Sequence, residues 1–214
     1  MYKIAALFLL IIIGFTSYAQ DDDIPDYRSK KDLYKKITDK DLRSDLAAFT
    51  LSSLDEALAK EPLPQLPLVE YKNDFIRFAD DRVAVKIVAG TFDKTKHKLL
   101  YYDEKYLTKI DIKPFFSSKL GATPVRIIQS VTVVVGSDTI HLPDAAFSDL
   151  YDPIFCQGNT NSNTAKCNTA VYLSKDGRKI YIYMLNSSDT KNGYEVTWVI
   201  QDKIYIRRVV DYGF

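Results

Sequence analysis

The most regular part of the chain is KIYIYMLNSSDTKNGYEVTWVIQDKIYIRRVV, residues 179–210. Three runs in it, 179–185, 194–200 and 204–210, are rich in β-branched and aromatic residues and are separated by polar segments. Such runs predict β-strands, because these side chains fit a pleated and partly buried surface. With the similar run 170–174 before them, they predict a four-strand antiparallel meander at the C-terminal end of the chain.

The two faces of this meander differ in character. Even-numbered residues of 179–185 are apolar, and Val196, Trp198 and Ile200 continue the same face. The opposite face is amphipathic rather than charged, so we expect both faces to be partly covered, one of them by N-terminal helices. Aromatic residues and arginine are enriched in binding hot spots. The candidate binding surface of the sheet therefore comprises Tyr181, Tyr183, Tyr205 and Arg207.

Upstream of the meander, alternating and β-branched runs predict six more strands. Their limits are 75–78, 82–92, 97–102, 106–110, 125–135 and 139–142. Residues 111–124 contain two prolines and a glycine and are expected to be irregular. A short helix is predicted over 143–151, because Pro143 suits a first turn and Asp144 suits the positive end of a helix.

The N-terminal part reads differently. Apolar residues at helical spacing and a capping-box pattern that begins at Ser53 predict two or three short helices within 30–60. Pro62, Pro64 and Pro67 end helix formation and predict a stiff extended connector over 61–68. Helices placed before strands predict an α+β fold, with short N-terminal helices followed by a mainly antiparallel sheet.

The first residues have the layout of a cleavable export signal. Lys3 precedes the uncharged run IAALFLLIIIGF at 4–15, and small residues follow at Ser17 and Ala19. Cleavage is predicted between Ala19 and Gln20; the alternative is an uncleaved N-terminal anchor. The run is shorter than the roughly 20 residues that span a bilayer, so no stable membrane insertion is expected after cleavage. The brevity of the signal is typical of bacteria and predicts a destination in the periplasm or outside the cell.

These boundaries give a domain plan in which one folded domain is favoured over two. Its parts are a signal peptide at 1–19, a polar N-terminus and helical arm at 20–60, the connector at 61–68 and a β-rich domain at 69–214.

Composition excludes several classes of protein. The 29 basic and 28 acidic residues leave no excess for a nucleic-acid binder with a basic face, and Lys3 is the only charge in 1–19. A hydrophobic content of 46% is too high for a disordered chain. The two cysteines cannot form a four-cysteine zinc site. In an oxidising compartment Cys156 and Cys167 are expected to form a disulfide, which stabilises by roughly 3 kcal/mol.

One segment gathers residues capable of chemistry. His141, Asp144, Asp149 and Asp152 bring an imidazole and three carboxylates together, and such groups bind metals or act as general acid and base. The structural alternative is that Asp144 caps a helix, Asp149 lies on its outer face and Asp152 starts a turn. The common serine-hydrolase, nucleotide-binding and zinc-protease motifs do not occur in the sequence. No cofactor or metal is indicated.

Three functions follow as hypotheses. The first is a non-enzymatic binding protein of the cell envelope or exterior, of the inhibitor or immunity type. The second is a hydrolase with an active site around His141, Asp144 and Asp149. The third is a structural component of an envelope complex. The expected partner is another envelope or secreted protein rather than nucleic acid, and the sequence leaves the oligomeric state open.

The export signal can be tested directly. Mass spectrometry of the exported protein should find a chain that begins at Gln20, because a signal peptidase cuts after small residues such as Ala19. An exported pool that retains Met1 would contradict cleavage.

Overall fold

The computed structural model of the chain describes residues 32–54, 60–157, 166–187 and 193–212. The predicted signal peptide, its Ala19–Gln20 junction and the polar run up to residue 31 lie outside the described residues. The same holds for most of the predicted capping box and for the segment between the two cysteines.

The described part is mainly antiparallel sheet. The helices are α1 (Asp32–Lys35), a single turn, and α2 (Lys40–Ala47). The strands are β1 (Leu68–Tyr71), β2 (Phe75–Ala79), β3 (Val83–Thr91), β4 (Leu99–Tyr102), β5 (Tyr106–Ile110), β6 (Arg126–Val135), β7 (Asp138–His141), β8 (Cys156–Gln157), β9 (Lys166–Cys167), β10 (Thr169–Leu173), β11 (Lys179–Asn186), β12 (Tyr194–Gln201) and β13 (Ile204–Tyr212).

The predicted C-terminal meander is confirmed. Strands β10, β11, β12 and β13 form an antiparallel sheet in that order. The register places Ile182 opposite Trp198 and Met184 opposite Val196, so the predicted apolar face is continuous across the two central strands. Trp198 is 0% exposed, and every residue from 194 to 200 is buried. A strand buried along its whole length must be covered on both faces.

A second sheet covers the first face. Its order is β1-β2-β3-β6-β7, and every pair is antiparallel. In β3 the buried residues alternate with more exposed ones, as a half-buried strand requires. Side chains such as Phe78, Ile87 and Val133 form one core cluster with Ile182 and Trp198 of the other sheet. The main core therefore lies between the two sheets.

The helix α2 covers the other face of the C-terminal sheet. Asp39 caps its start, since the Asp39 carboxylate accepts hydrogen bonds from the backbone N–H groups of Asp41 and Leu42, both at 3.0 Å. Leu42 and Leu46 pack in a cluster that includes Tyr181. Burial of this apolar stripe holds a helix that is too short to be stable alone.

The prediction of two or three N-terminal helices is wrong for the described residues, which contain one helix longer than a single turn. After α2 the hydroxyls of Thr50 and Ser53 bond to the carbonyls of Leu46 and Ala47 at 2.9 and 3.2 Å. Such side-chain bonds compete with helical hydrogen bonding. The buried carboxylate of Glu195 also accepts a hydrogen bond from Ser52 N–H at 2.7 Å. This segment therefore forms turns that are fixed against the sheet.

The proline-rich connector joins the two sheets. Leu66 N–H donates to the carbonyl of Val171 at 2.8 Å, and Leu173 N–H donates to that of Pro64 at 2.9 Å. The extended connector therefore lies along the outer edge of β10. The chain then begins β1 at Leu68 and pairs with β2, which makes the end of the predicted connector a strand.

The helix predicted over 143–151 is also wrong. The structure has a short 3₁₀ turn there, Asp144–Ala146. The carbonyl of Ala146 accepts the indole N–H of Trp198 at 2.8 Å, and it also accepts Arg208 Nη1 at 3.2 Å. Because side chains of the C-terminal sheet donate hydrogen bonds to this carbonyl, it does not accept a helical hydrogen bond, and the backbone does not continue as a helix.

The predicted disulfide is confirmed. Cys156 and Cys167 are directly opposite in the small β8–β9 pair and are bonded to each other. Neither helix of the described residues has the length and apolar character needed to cross a membrane.

Glu195 offers a test of how the sheet holds the segment after α2. Its carboxylate accepts hydrogen bonds from Leu51 N–H at 2.8 Å, from Tyr183 O–H at 2.9 Å and from Ser52 N–H. Burial raises the pKa of Glu195 above its usual value and outweighs these bonds, which lower the pKa. In Glu195→Gln the amide NH₂ must face at least one of these donors. We expect a loss of about 1–3 kcal/mol in the free energy of unfolding, measured with urea.

The control is Glu70→Gln. The Glu70 carboxylate is exposed, so this substitution should leave the free energy of unfolding nearly unchanged. Equal stability of the Glu195→Gln variant and the unchanged protein would contradict the role assigned to the buried carboxylate.

Candidate functional site

An open groove lies between the irregular segment after β5 and the 3₁₀ turn. Its volume is about 620 Å³. Two of the three predicted catalytic candidates, Asp144 and Asp149, line it, whereas His141 is not among its lining residues. The remaining lining residues are Lys113, Pro114, Phe116, Ala145 and Ser148.

Asp149 is held by Arg208 of β13. The carboxylate accepts hydrogen bonds from both terminal nitrogens of the guanidinium, and the Nη2–Oδ2 distance is 2.6 Å. Burial alone would lower the pKa of Arg208, but the hydrogen bonds and charge of Asp149 raise it above the usual value. Because both carboxylate oxygens are engaged, Asp149 fastens the turn to the sheet and is a poor general base.

His141 lies elsewhere. It ends β7, its side chain is exposed, and its Nδ1 is 3.4 Å from the hydroxyl of Thr132 on the neighbouring strand. The structure thus brings Asp144 and Asp149 to one groove and does not place His141 among its lining residues.

Another histidine, His97, lies in a pocket next to the groove, and sequence reasoning missed it. This pocket has a volume of about 160 Å³, and it shares Lys113, Pro114, Ser148 and Asp149 with the groove. Nδ1 of His97 is 2.7 Å from Oδ2 of Asp111. The two residues are 14 apart in sequence and meet only because the β4–β5 hairpin brings its two ends together.

A two-residue turn presents Asp111. Asp111 and Ile112 have φ of 52° and 67°, and the flanking Ile110 and Lys113 exchange backbone hydrogen bonds at 3.1 and 3.0 Å. This is the turn geometry that tight hairpins favour. The hydrogen bond from His97 comes first among the causes that lower the pKa of Asp111, followed by the N–H of Lys98.

The His97–Asp111 pair limits the chemistry of the pocket. A carboxylate that binds Nδ1 fixes the tautomer and leaves Nε2 for a ligand. Ser148 lines the same pocket, but in the described part of the chain no hydrogen bond joins its hydroxyl to His97. Burial raises the pKa of Tyr151 to about 12, so that phenol stays protonated near neutral pH. The arrangement can orient a bound group, but it lacks the bonded pair of nucleophile and base found in covalent catalysis.

Metal binding has little support in the described residues. Across 32–54, 60–157, 166–187 and 193–212, no group of three or more His, Cys, Asp or Glu side chains could hold an ion.

The predicted tyrosine surface is not assembled. Tyr181 is 0% and Tyr183 8% exposed, and their hydroxyls donate to Asp45 at 2.5 Å and to Glu195 at 2.9 Å. Burial raises the pKa of both phenols. The candidate surface fails here because α2 and the segment after it cover this face.

Tyr205 and Arg207 lie on different faces because of a bulge in β13. Ile200 pairs with Tyr205 and Val199 pairs with Arg207, so Ile206 is an extra residue. The half-buried Tyr205 therefore packs against the core between the sheets, while Arg207 is exposed. A one-residue shift moves a side chain to the other face, and simple alternation from the sequence cannot detect it.

Exposed apolar side chains concentrate on the outer strands. Among the described residues nine large apolar side chains are exposed, and six of these lie in pairs on β1, β4 and β13. Strands β1 and β13 are each the last strand of their sheet, and β4 belongs to a two-stranded sheet. The pairs are Leu68 and Val69, Tyr101 and Tyr102, and Ile204 and Ile206.

Comparison of the chain with protein-family models, curated proteins and solved structures finds no match. The roles of its residues therefore rest on the geometry of this chain.

The different roles of Asp149 and Asp144 can be tested by comparing the stability of two alanine variants. Asp149→Ala leaves the guanidinium of Arg208, whose side chain is 23% exposed, without its carboxylate. We expect a loss of about 2 kcal/mol in the free energy of unfolding, between the values for surface and buried ion pairs. Asp144→Ala removes an exposed side chain and should change stability by less than about 0.5 kcal/mol. Urea denaturation measures both, and equal losses in the two variants would refute the distinction.

Proposed function

We propose that the chain is an exported, non-enzymatic protein that binds another protein of the cell envelope or exterior. The observation that carries this proposal is the set of exposed apolar pairs on β1, β4 and β13. An edge strand presents unpaired backbone groups, and soluble proteins normally protect such edges with charges or a covering segment. Apolar side chains kept exposed there favour contact with a second polypeptide.

The groove supports recognition over catalysis. Asp149, which lines the groove, is bonded to Arg208, and Asp111, in the neighbouring pocket, is bonded to His97 and to Lys98 N–H. Pro114, Phe116 and Ala145 contribute apolar surface beside them. Because Asp149 and Asp111 are already paired, a partner's side chains can bind beside them without disturbing their charge compensation. An inhibitor or immunity-type role agrees with such a site.

Export is part of the proposal. The signal-like sequence at 1–19 supports it, and the Cys156–Cys167 bond is mildly consistent with an oxidising compartment. We propose the periplasm or the extracellular medium as the place of action.

Site-specific photo-crosslinking tests the proposal. A benzoylphenylalanine residue replaces Ile206, Tyr101 or Val69 in turn, and the purified protein is irradiated with the envelope and secreted fractions of its own cells. We expect one of the three positions to crosslink a single partner that co-purifies with the unchanged protein in a fixed ratio. The matched control position is Lys86, which is exposed on the central strand β3.

Two outcomes would count against this function. Crosslinks only to further copies of the same chain would favour the structural hypothesis. Crosslinking at Lys86 as strong as at the three edge positions would show that the edges have no special role.

If Ile206 is the reactive position, the double change Ile204→Thr and Ile206→Thr should weaken partner binding at least tenfold. The same change should leave the unfolding temperature nearly unchanged, because these side chains are 63% and 50% exposed.

A further inference from the structure

The pocket that contains His97 (the His97 pocket) is open to solvent. The side chain of His97 is 30% exposed and that of Asp111 is 50% exposed. Lys113 and Ser148, which line both the pocket and the groove, are exposed as well. A segment bound in the groove can therefore place a side chain in the pocket. The volume of about 160 Å³ suits one side chain, because sites for drug-sized ligands have roughly 300–1,000 Å³.

The charges around the His97 pocket balance one another when the imidazole is neutral. Two carboxylates line the pocket, those of Asp111 and Asp149. Two cations accompany them, since Lys113 lines the pocket and Arg208 binds Asp149. A charged occupant would therefore find no counterion left there, and an unpaired charge taken out of water costs free energy. This balance favours a neutral occupant.

Two hydrogen-bonding atoms of the pocket are not engaged. Because Nδ1 of His97 is bonded to the Asp111 carboxylate, Nδ1 carries the proton of a neutral ring and Nε2 is an acceptor. The hydroxyl of Tyr151 is a donor, since burial raises the pKa of Tyr151 to about 12. In the described part of the chain neither atom has a hydrogen-bond partner. The Tyr151 hydroxyl oxygen is also not fully enclosed by protein, unlike that of Thr169.

We infer that the His97 pocket binds a carboxamide side chain, glutamine or asparagine, of the partner polypeptide. The amide NH₂ donates to Nε2 of His97 and the amide oxygen accepts from the hydroxyl of Tyr151, so both free atoms gain a partner and no charge is added. The groove holds the neighbouring residues of the same segment against Pro114, Phe116 and Ala145. The inference rests on the proposed protein-binding function and states the chemistry that the partner must carry there.

Nuclear magnetic resonance can locate the proton on His97. The chain has two histidines, so His141 serves as a reference in the same spectrum. At about pH 8, above the ordinary histidine pKa of about 6.5, ¹⁵N spectra of the rings should show the proton of His97 on Nδ1, the tautomer that Asp111 selects. A proton on Nε2, or an imidazolium under these conditions, would remove the free acceptor and overturn the inference.

The binding test uses a defined probe, acetyl-Leu-Gln-Leu N-methylamide, whose caps carry neither charge nor primary amide. We expect a saturable shift of the Nε2 resonance of His97 and no shift at His141. The same peptide with glutamate, lysine or leucine in place of glutamine should bind at least tenfold more weakly, since it lacks one or both hydrogen bonds or adds a charge. Equal binding by any of these three peptides would overturn the inference. So would the absence of a shift at His97 up to the solubility of the probe.

Two variants remove the polar atoms and keep the rings. His97→Phe retains a ring that stacks on Phe92, where the centroids are 4.7 Å apart. Tyr151→Phe retains the edge-on contacts of this ring with Phe92 and Phe115. We expect His97→Phe to abolish the preference for the glutamine peptide over the leucine peptide, and Tyr151→Phe to reduce it about fivefold.

The preference is measured through the backbone amide resonance of Ser148, which every variant retains. His141→Phe is the matched control and should leave the preference unchanged. Because both peptides are compared in the same variant, a general loss of stability does not imitate the expected result. A preference for glutamine that survives in both His97→Phe and Tyr151→Phe would contradict the site.

The two proposals fail in different ways. Partner capture through Ile206 without probe binding at His97 would contradict only the pocket. Glutamine-selective binding in a chain that captures no envelope or secreted protein would leave the pocket standing and contradict the proposed function.

Discussion

Burial of β12 on both faces is the constraint on which the rest of the structure depends. Its residues from 194 to 200 are all buried, so neither face of the C-terminal sheet can meet water along this strand. One face is covered by the five-stranded sheet and the other by α2 with the segment that follows it. The result is three layers around one central strand, and the connector at 64–66 joins two of these layers by lying on an edge of one before entering the other.

Polar groups buried by this arrangement hold the loops in place, and one of them accounts for a residue that looks reactive in the sequence, Asp149. Trp198, Glu195, Asn186 and Arg208 each reach a backbone or carboxylate group in a loop outside their own strand. An unpaired buried donor or acceptor costs free energy, so each of these contacts fixes the position of a loop. Asp149, a candidate base in the sequence, serves as the partner of Arg208. What remains open to another molecule is at the outer strands and in the groove.

The sequence predicted most of the strands, because alternation along 179–210 is a local property that the sheet preserves. It also predicted the disulfide and the apolar face shared by Ile182 and Trp198. It did not predict the arrangement after Ala47 or after Ala146, since distant side chains on β12 and β13 take the backbone groups that a helix would use. The pairing of His97 with Asp111 depends on the register of a hairpin, and the side of Tyr205 depends on a one-residue bulge. Neither the register nor the bulge can be recognised from the local pattern of residues.

The contact between α2 and the C-terminal sheet has a consequence for the order in which the chain can fold. Leu42 and Leu46 are buried against a cluster that includes Val209, near the opposite end of the chain. Contacts between such distant residues form slowly. If the chain crosses a membrane with its N-terminus leading, α2 arrives long before the strand that it must cover. The helix is too short to persist alone. Packing of α2 on the sheet would therefore wait until β13 has emerged.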